Sequence, residues 1–393
     1  MRLAAGSEAM KILVLGGTVF VGRHLVAAAV AAGHTVTMFN RGQSNPGLFP
    51  AVETIFGDRT VDLQALVGRK WDAVIDAAGY VPRVVRMSAE FLAGSVDHYT
   101  FISSISVFAS FRDRGMDESA PVGRLVGAST EEVTDAAYGP LKALCEDASE
   151  AAMPGKTLVI RPGLIVGPHD PTDRFTYWPA RVERGGEVLA PADPACETQL
   201  VDVRDLAEWT VRMVQAKATG VFNATGPATP LTLGEVIETC REVSRSDAKP
   251  VWVPEEFIKE MGISPWMDLP LWVGSSEEMA GFAAINCRKA IAAGLTFRPL
   301  RETVADTLAW DRRREGMARK AGLAPEKEAT ALDSWHARHC LFFGCEPRLS
   351  RHPLATPVPR QCVGNRFPQG SKRQPGGDRL PAVDRCEPGH LLA

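Results

Sequence analysis

The sequence lacks most of what would mark a secreted, membrane-bound or metal-dependent protein. Its 393 residues include eight cysteines. No two of them form a CxxC pair, which argues against a redox motif or disulfide frame and for reduced thiols. No apolar run reaches the about twenty residues of a membrane-spanning helix. The first residues carry one arginine and no long apolar stretch, so a cytoplasmic location is expected rather than secretion. Lysine plus arginine number 44 against 47 acidic residues, and the net charge of −3 supplies no basic field for nucleic acid. HExxH, GxSxG and GxxxxGK[ST] are all absent, which removes three common catalytic and phosphate-binding readings. Tyrosine is scarce, at 4 residues, so a tyrosine at catalytic spacing stands out.

What is present begins at Lys11-Ile12-Leu13-Val14-Leu15-Gly16-Gly17-Thr18-Val19-Phe20-Val21-Gly22-Arg23-His24. Four consecutive apolar residues read as a strand buried on both faces. Gly16 and Gly17 let the backbone turn sharply, and Gly22 lets a following helix sit close to the strand. Val21, Leu25, Val26 and Ala29 give that helix an apolar stripe. Its free amides and positive dipole end suit a pyrophosphate, with Thr18, Phe20 and Val21 around it. The glycine spacing departs from G-x-G-x-x-G, with Val19 inside the turn.

A second strand follows at 35–39 and ends in Asn40-Arg41-Gly42. An acid there would hold ribose hydroxyls; Arg41 instead suits a 2′-phosphate and favours NADP over NAD, with a solvated loop arginine as the alternative. Asp58 either accepts from the adenine amino group or caps a helix starting near Val61. Further strands are expected at 52–56, 73–77, 98–103, 157–160 and 220–223, with helices between most of them. Such alternation implies an α/β fold with a mainly parallel, doubly wound sheet. Ala77-Ala78-Gly79 leaves room for a cofactor at the carboxyl edge. From Pro162 onward the chain is rich in Pro, Trp and Gly, as expected of a smaller lobe closing over the site.

Tyr138 and Lys142 form a YxxxK motif and share a helix face. Pro140 between them is tolerated in a first turn. A nearby ammonium would stabilise phenolate and lower the tyrosine pKa. Tyr138 could then exchange a proton with a substrate oxygen, and Ser104, at the end of the fifth strand, could donate to the same oxygen.

Glycine turn, serine after the fifth strand and YxxxK before the sixth is an order that resembles the short-chain dehydrogenase/reductase superfamily. The resemblance is to its extended branch, the NAD(P)-dependent epimerase/dehydratase family, over roughly residues 10–315. Arg161-Pro162-Gly163-Leu164-Ile165-Val166-Gly167-Pro168 and Val201-Asp202-Val203-Arg204-Asp205-Leu206-Ala207 resemble family segments. The resemblance implies Ser104, Tyr138 and Lys142 as catalytic trio, Lys142 also on the nicotinamide ribose, and Pro162 near the nicotinamide. It implies a Rossmann-type fold and an NAD(P)-dependent oxidoreductase acting on a carbonyl or alcohol of a small polar metabolite. The alternative is a nucleotide-sugar epimerase working through a transient ketone. Family 4,6-dehydratases carry an Asp-Glu pair where Ile105-Ser106 stand, which disfavours that reaction. The turn also resembles the subgroup with chloroplast stem-loop RNA-binding proteins, so a non-catalytic dinucleotide sensor or RNA binder is a third reading. A near-neutral charge and an intact YxxxK argue against it.

In the lobe, His169, Arg174, Tyr177 and Trp178 are candidate substrate contacts. Arg174 either holds an anionic group or makes a structural ion pair, and Tyr177 and Trp178 either line the pocket or pack the core. His336, His339, Cys340 and Cys345 match no zinc spacing, and no metal is expected. The expected layout is an extension at 1–9, a cofactor domain at 10–165 with a core strand from about 200–226, a substrate lobe at 166–339 and a disordered tail at 340–393. Helices are expected at 303–319 and 325–338. A monomer or homodimer is expected, with no membrane partner.

Overall fold

A computed structural model describes residues 8–125, 130–314 and 316–343. The chain opens with β1 (Lys11–Leu15), α1 (Phe20–Ala31), β2 (Thr35–Asn40), β3 (Glu53–Phe56), β4 (Ala73–Asp76), α2 (Pro82–Leu92), β5 (His98–Ile102), α3 (Asp135–Ala152) and β6 (Thr157–Pro162). It continues with β7 (Leu164–Val166), α4 (Tyr177–Glu183), β8 (Glu187–Pro191), β9 (Glu197–Thr198), β10 (Leu200–Asp202), α5 (Val203–Gln215) and β11 (Gly220–Ala224). Then come β12 (Leu231–Thr232), α6 (Leu233–Ser244), β13 (Lys249–Val253), α7 (Glu255–Glu260), α8 (Arg288–Ala292), α9 (Leu300–Asp311) and α10 (Pro325–Phe343).

Seven strands form one parallel sheet in the order β11-β6-β5-β4-β1-β2-β3. Alternation along β1 shows why the run is wholly apolar. Ile12 and Val14 pack with Val26 of α1 and Leu206 and Trp209 of α5. Leu13 and Leu15 pack with Val85 of α2 and Cys145 of α3 on the opposite face. Both faces are covered by helices, the doubly wound Rossmann-type arrangement. The chain leaves β1 toward β2 and β3, then returns to β4 on the other side. The carboxyl ends of β1 and β4 therefore flank the crevice at the point where strand order reverses.

A separate apolar core holds Trp178, Val188, Val236, Phe257, Trp266, Trp272 and Ala331, with β13 paired to β8 and β12 to β9. Ile105, Phe108 and Phe111 also belong to it, although they precede residue 166.

Three expected boundaries move. The helix expected at 303–319 spans Leu300–Asp311 and passes into a 3₁₀ turn at Arg312–Arg314, ahead of left-handed Gly316 (φ 82°). The helix expected to stop at 338 runs to Phe343, so 340–343 continue a helix and are not tail. Its outer turns are anchored, because Arg338 pairs with Glu260 at 2.7 Å and Trp335 packs edge-on to Phe257. No helix starts near Val61; a 3₁₀ turn at Gln64–Leu66 follows instead. The calls on residues 1–7 and 344–393 lie outside the described residues.

Candidate active site

At one end of the crevice the lining is mostly backbone. Gly16 and Gly17 have φ of 106° and 100°, conformations that side chains with a Cβ rarely adopt. A Cβ on Gly22 would stand 2.7 Å from the Gly17 nitrogen, so only glycine lets α1 approach the turn. Val19, the residue before α1, offers no side-chain cap, and the first turn holds no acid. Leading amides and a positive dipole end of this kind can hold an anion. Asn40 ties this turn to β2: its Nδ2 donates to the Gly16 carbonyl at 3.4 Å and its Oδ1 accepts from Gly42 N at 2.8 Å.

The crevice widens into a cleft of about 280 Å³ lined by Gly16, Thr18, Val19, Arg41, Asp58, Ala78 and Tyr80. Ala78 faces Gly16 closely enough that a Cβ there would sit 3.5 Å from its own. Ala77 and Ala78 are half-buried and Gly79 is buried just past β4. Arg41 is exposed on the rim, and its charge is felt at Asp58. Asp58 makes a local turn, accepting from Thr60 N at 2.9 Å and Thr60 Oγ1 at 2.7 Å, which lowers its pKa. This replaces the expected helix cap.

At the other end, side chains are buried. Tyr138 and Lys142 are each 4% exposed. α3 begins at Asp135 with Thr134 as its cap, so Pro140 lies in the second turn, not the first. A Cβ on Gly139 would fall 2.0 Å from the Ser106 carbonyl oxygen, so this glycine is what lets α3 lie against the turn after β5. That turn carries Ser104, which accepts from Ser106 N at 3.0 Å and shares a hydrogen bond with Tyr138. The Lys142 ammonium donates to the carbonyls of Gly79 at 2.8 Å and Ile102 at 2.6 Å and lies 4.3 Å from the Phe101 ring centre. Burial brings its pKa down to about 8. Burial also pushes the Tyr138 phenol well above its ordinary value, with Tyr80 adding to the rise and Ser104 opposing it. The expected lowering of the tyrosine by the ammonium is therefore not what this structure has: desolvation is the largest cause, and the opposing pull comes from Ser104 and Arg174. Pro162 is buried at the end of β6, in register with Ala224.

The lobe candidates separate. Trp178 is fully buried and its Nε1 donates to the Pro270 carbonyl at 2.7 Å, while Tyr177 stacks edge-on to it. Both serve the lobe's core, the packing alternative. His169, left-handed at φ 73°, sits over the start of α1, where Arg23 Nη1 meets its Nδ1 at 3.1 Å. Burial and the guanidinium bring its pKa down to about 4, so it is neutral. Arg174 lies over the Trp266 ring at 5.0 Å and within electrostatic reach of Tyr138. His336 pairs with Glu187 and His339 bonds the Trp335 carbonyl; Cys345 lies outside the described residues.

Sequence reasoning missed the support beneath the crevice. Asp76, wholly buried at the end of β4, takes both guanidinium nitrogens of Arg59 at 2.5 and 2.7 Å and the Tyr99 hydroxyl at 2.7 Å. It also accepts from Ala78 N at 3.1 Å, which shapes the segment that presents the Gly79 carbonyl to Lys142. An acid closing a buried apolar strand was the available signal, since such a charge demands a partner. Tyr80, whose ring lies 6.5 Å from that of Tyr138 and 5.4 Å from the Lys142 ammonium, was missed as well.

Residues 12–225, more than half of the chain, match the NAD dependent epimerase/dehydratase family, and the chain belongs to it. It is thus an NAD-dependent enzyme with the extended short-chain dehydrogenase/reductase fold. A 2-alkyl-3-oxoalkanoate reductase of Stenotrophomonas maltophilia (strain K279a) is 33% identical over 188 residues, 41% of this chain and 52% of that protein. The chain spans about half the length of that curated relative. The Bordetella bronchiseptica enzyme WbmH, solved with NAD⁺, is similar at a TM-score of 0.60 and 16% identity, covering 79% of this chain and 100% of the other. UDP-glucuronic acid 4-epimerase from Bacillus cereus, solved with NAD, gives 0.57 and 15%, covering 78% and 99%. These two likenesses are of fold. Among the described residues, no helix is long and apolar enough to cross a membrane.

Proposed function

We propose that the chain is an NADP-preferring reductase that delivers hydride to the carbonyl of a small polar metabolite. The observation that carries the reading is the Ser104–Tyr138 hydrogen bond beside buried Lys142, in a crevice whose other end is an uncapped helix behind a glycine turn. That cradle fits a dinucleotide. The opening amides of α1, at Phe20, Val21 and Gly22, would hold its pyrophosphate, with Gly16, Gly17 and Thr18 allowing close approach. Arg41 would face a 2′-phosphate and Asp58 the adenine, while Ala77, Ala78, Gly79 and Pro162 keep bulk away from the nicotinamide end. Residues 10–165 and β11 form the cofactor half, and 166–339 mainly the substrate lobe.

When bound, the nicotinamide supplies the hydride. Tyr138 gives its proton to the carbonyl oxygen, and Ser104 donates a hydrogen bond to that oxygen. Burial keeps Tyr138 a phenol, so it carries the proton that the reductive direction requires. The Lys142 ammonium, fixed by two carbonyls, would offset charge on the phenolate left on Tyr138 and would hold the nicotinamide ribose. The named activity of the Stenotrophomonas relative supports net reduction.

Epimerisation of a nucleotide sugar is the second reading, favoured by the Bacillus cereus neighbour. Cofactor stoichiometry separates the two. A reductase consumes NADPH one for one with carbonyl and loses this with Tyr138→Phe. An epimerase retains NAD and turns over with no external cofactor. A dinucleotide sensor or RNA binder keeps its function in Tyr138→Phe.

A further inference from the structure

We infer that Glu146 is a positioning residue for the reaction: its carboxylate joins Ser103 to Arg161, holds the end of β5 against α3, and so sets where Ser104 stands relative to Tyr138. This rests on the reductase reading. Glu146 lies on α3, one turn beyond Lys142, and is 7% exposed. Its Oε1 accepts from Ser103 Oγ at 2.5 Å and from Arg161 Nε at 2.9 Å, and its Oε2 accepts from Arg161 Nη2 at 2.6 Å. The Arg161 Nη1 donates to the Glu118 carbonyl at 3.3 Å, and the guanidinium lies 5.4 Å from the Phe108 ring centre. Both side chains of the ion pair are buried.

One carboxylate thereby gathers the three elements that bear the site. Ser103 follows β5 and precedes Ser104, Arg161 precedes Pro162 at the end of β6, and α3 carries Tyr138 and Lys142. Beyond β5 the Ser103 amide donates to the Ile160 carbonyl at 2.7 Å, and the chain then turns at Ile105–Val107. Near its start α3 meets that turn through Gly139 and the Ser106 carbonyl. One contact leaves a helix free to pivot; a second, about 10 Å further along the axis, fixes its angle. A buried ion pair adds little stability over apolar packing of similar volume. What it adds is direction, because a carboxylate with both oxygens engaged holds its donors at set angles.

The test reads Tyr138 itself, through the ¹³Cζ resonances of the full chain labelled on tyrosine. The chain has 4 tyrosines, so Tyr138→Phe assigns the signal. Ser103→Ala removes the link to β5 and leaves Glu146 its Arg161 partner, whereas Glu146→Gln disturbs both. Each should move the Tyr138 signal in the same direction as Ser104→Ala, and Ser103→Ala should add nothing in the Ser104→Ala background. The Tyr99 signal should stay, since Asp76 holds that hydroxyl at 2.7 Å. A Tyr138 signal unmoved in folded Ser103→Ala or folded Glu146→Gln overturns the proposal. Equal movement of Tyr99, the mark of general loosening, overturns it as well. If Glu146→Gln does not fold, Ser103→Ala decides alone. In turnover of NADPH with diacetyl, Ser103→Ala should lower kcat about tenfold with the NADPH Kd unchanged, and a change in Kd alone counts against the proposal. Failure of the reductase reading shows separately, as wild-type protein that oxidises no NADPH with diacetyl or other small carbonyls, while the resonances still decide the placement of Ser104.

Discussion

The two ends of the crevice are built on opposite principles. The glycine-turn end has little side chain: left-handed glycines, uncapped amides and one rim arginine. The Tyr138 end is buried polar chemistry whose groups are held before substrate arrives, by Gly79 and Ile102 for Lys142, Ser104 for Tyr138 and Arg59 for Asp76. Backbone recognition costs little to maintain and tolerates water. Buried side chains cost desolvation and repay it only with every partner in place. Damage at the first end should therefore weaken binding, and damage at the second should stop chemistry or unfold the chain.

The largest separation is expected from Tyr138→Phe, with kcat down by about 10²–10⁴-fold and NADPH affinity nearly unchanged by fluorescence titration. A change in affinity alone would dissolve the contrast. Next is Asp76→Asn, which strands the Arg59 charge and should cost about 3–5 kcal/mol in urea unfolding. The paired glycines sharpen the comparison. Gly139→Ala should cost about 1–3 kcal/mol and lower kcat by pushing α3 off the Ser104 turn, whereas Gly22→Ala should chiefly raise the NADPH Kd. The smallest effect is at the rim: Arg41→Ala should weaken NADPH relative to NADH by about tenfold, and an unchanged ratio removes the NADP preference.

Acidity distinguishes the ends as well. Lys142 titrates at about 8 in the fold against 10.5 for a free lysine. Below pH 8 it is protonated folded or unfolded, and the full cost of burying the charge is present. Between the two values the folded chain releases the proton while the unfolded chain keeps it, so this group's contribution to stability rises with pH. Activity runs the other way: if the ammonium is required, kcat/KM falls above pH 8, and the residual activity of Lys142→Met lacks that limb.

What was legible in the sequence follows the same division. The glycine turn, the buried strand before it and the parallel alternation are local patterns, and the sheet has them. The contact of Gly22 with the turn was readable because only a missing side chain permits it. The Arg59–Asp76 pair was not, because 17 residues and a strand crossing separate its partners. The lobe was hardest, since its strands at Glu197–Thr198 and Leu231–Thr232 are two residues long and carry no period. Tyr138 shows a subtler limit: spacing placed it beside Lys142, but burial, which spacing does not report, decides its proton.

The most direct test is the NADPH balance of the purified protein with a carbonyl substrate. One NADPH oxidised per alcohol formed, lost in Tyr138→Phe while NADPH still binds, is the result the account requires. Turnover on retained NAD with no net NADPH oxidation, or NADPH oxidation undiminished in Tyr138→Phe, would contradict it.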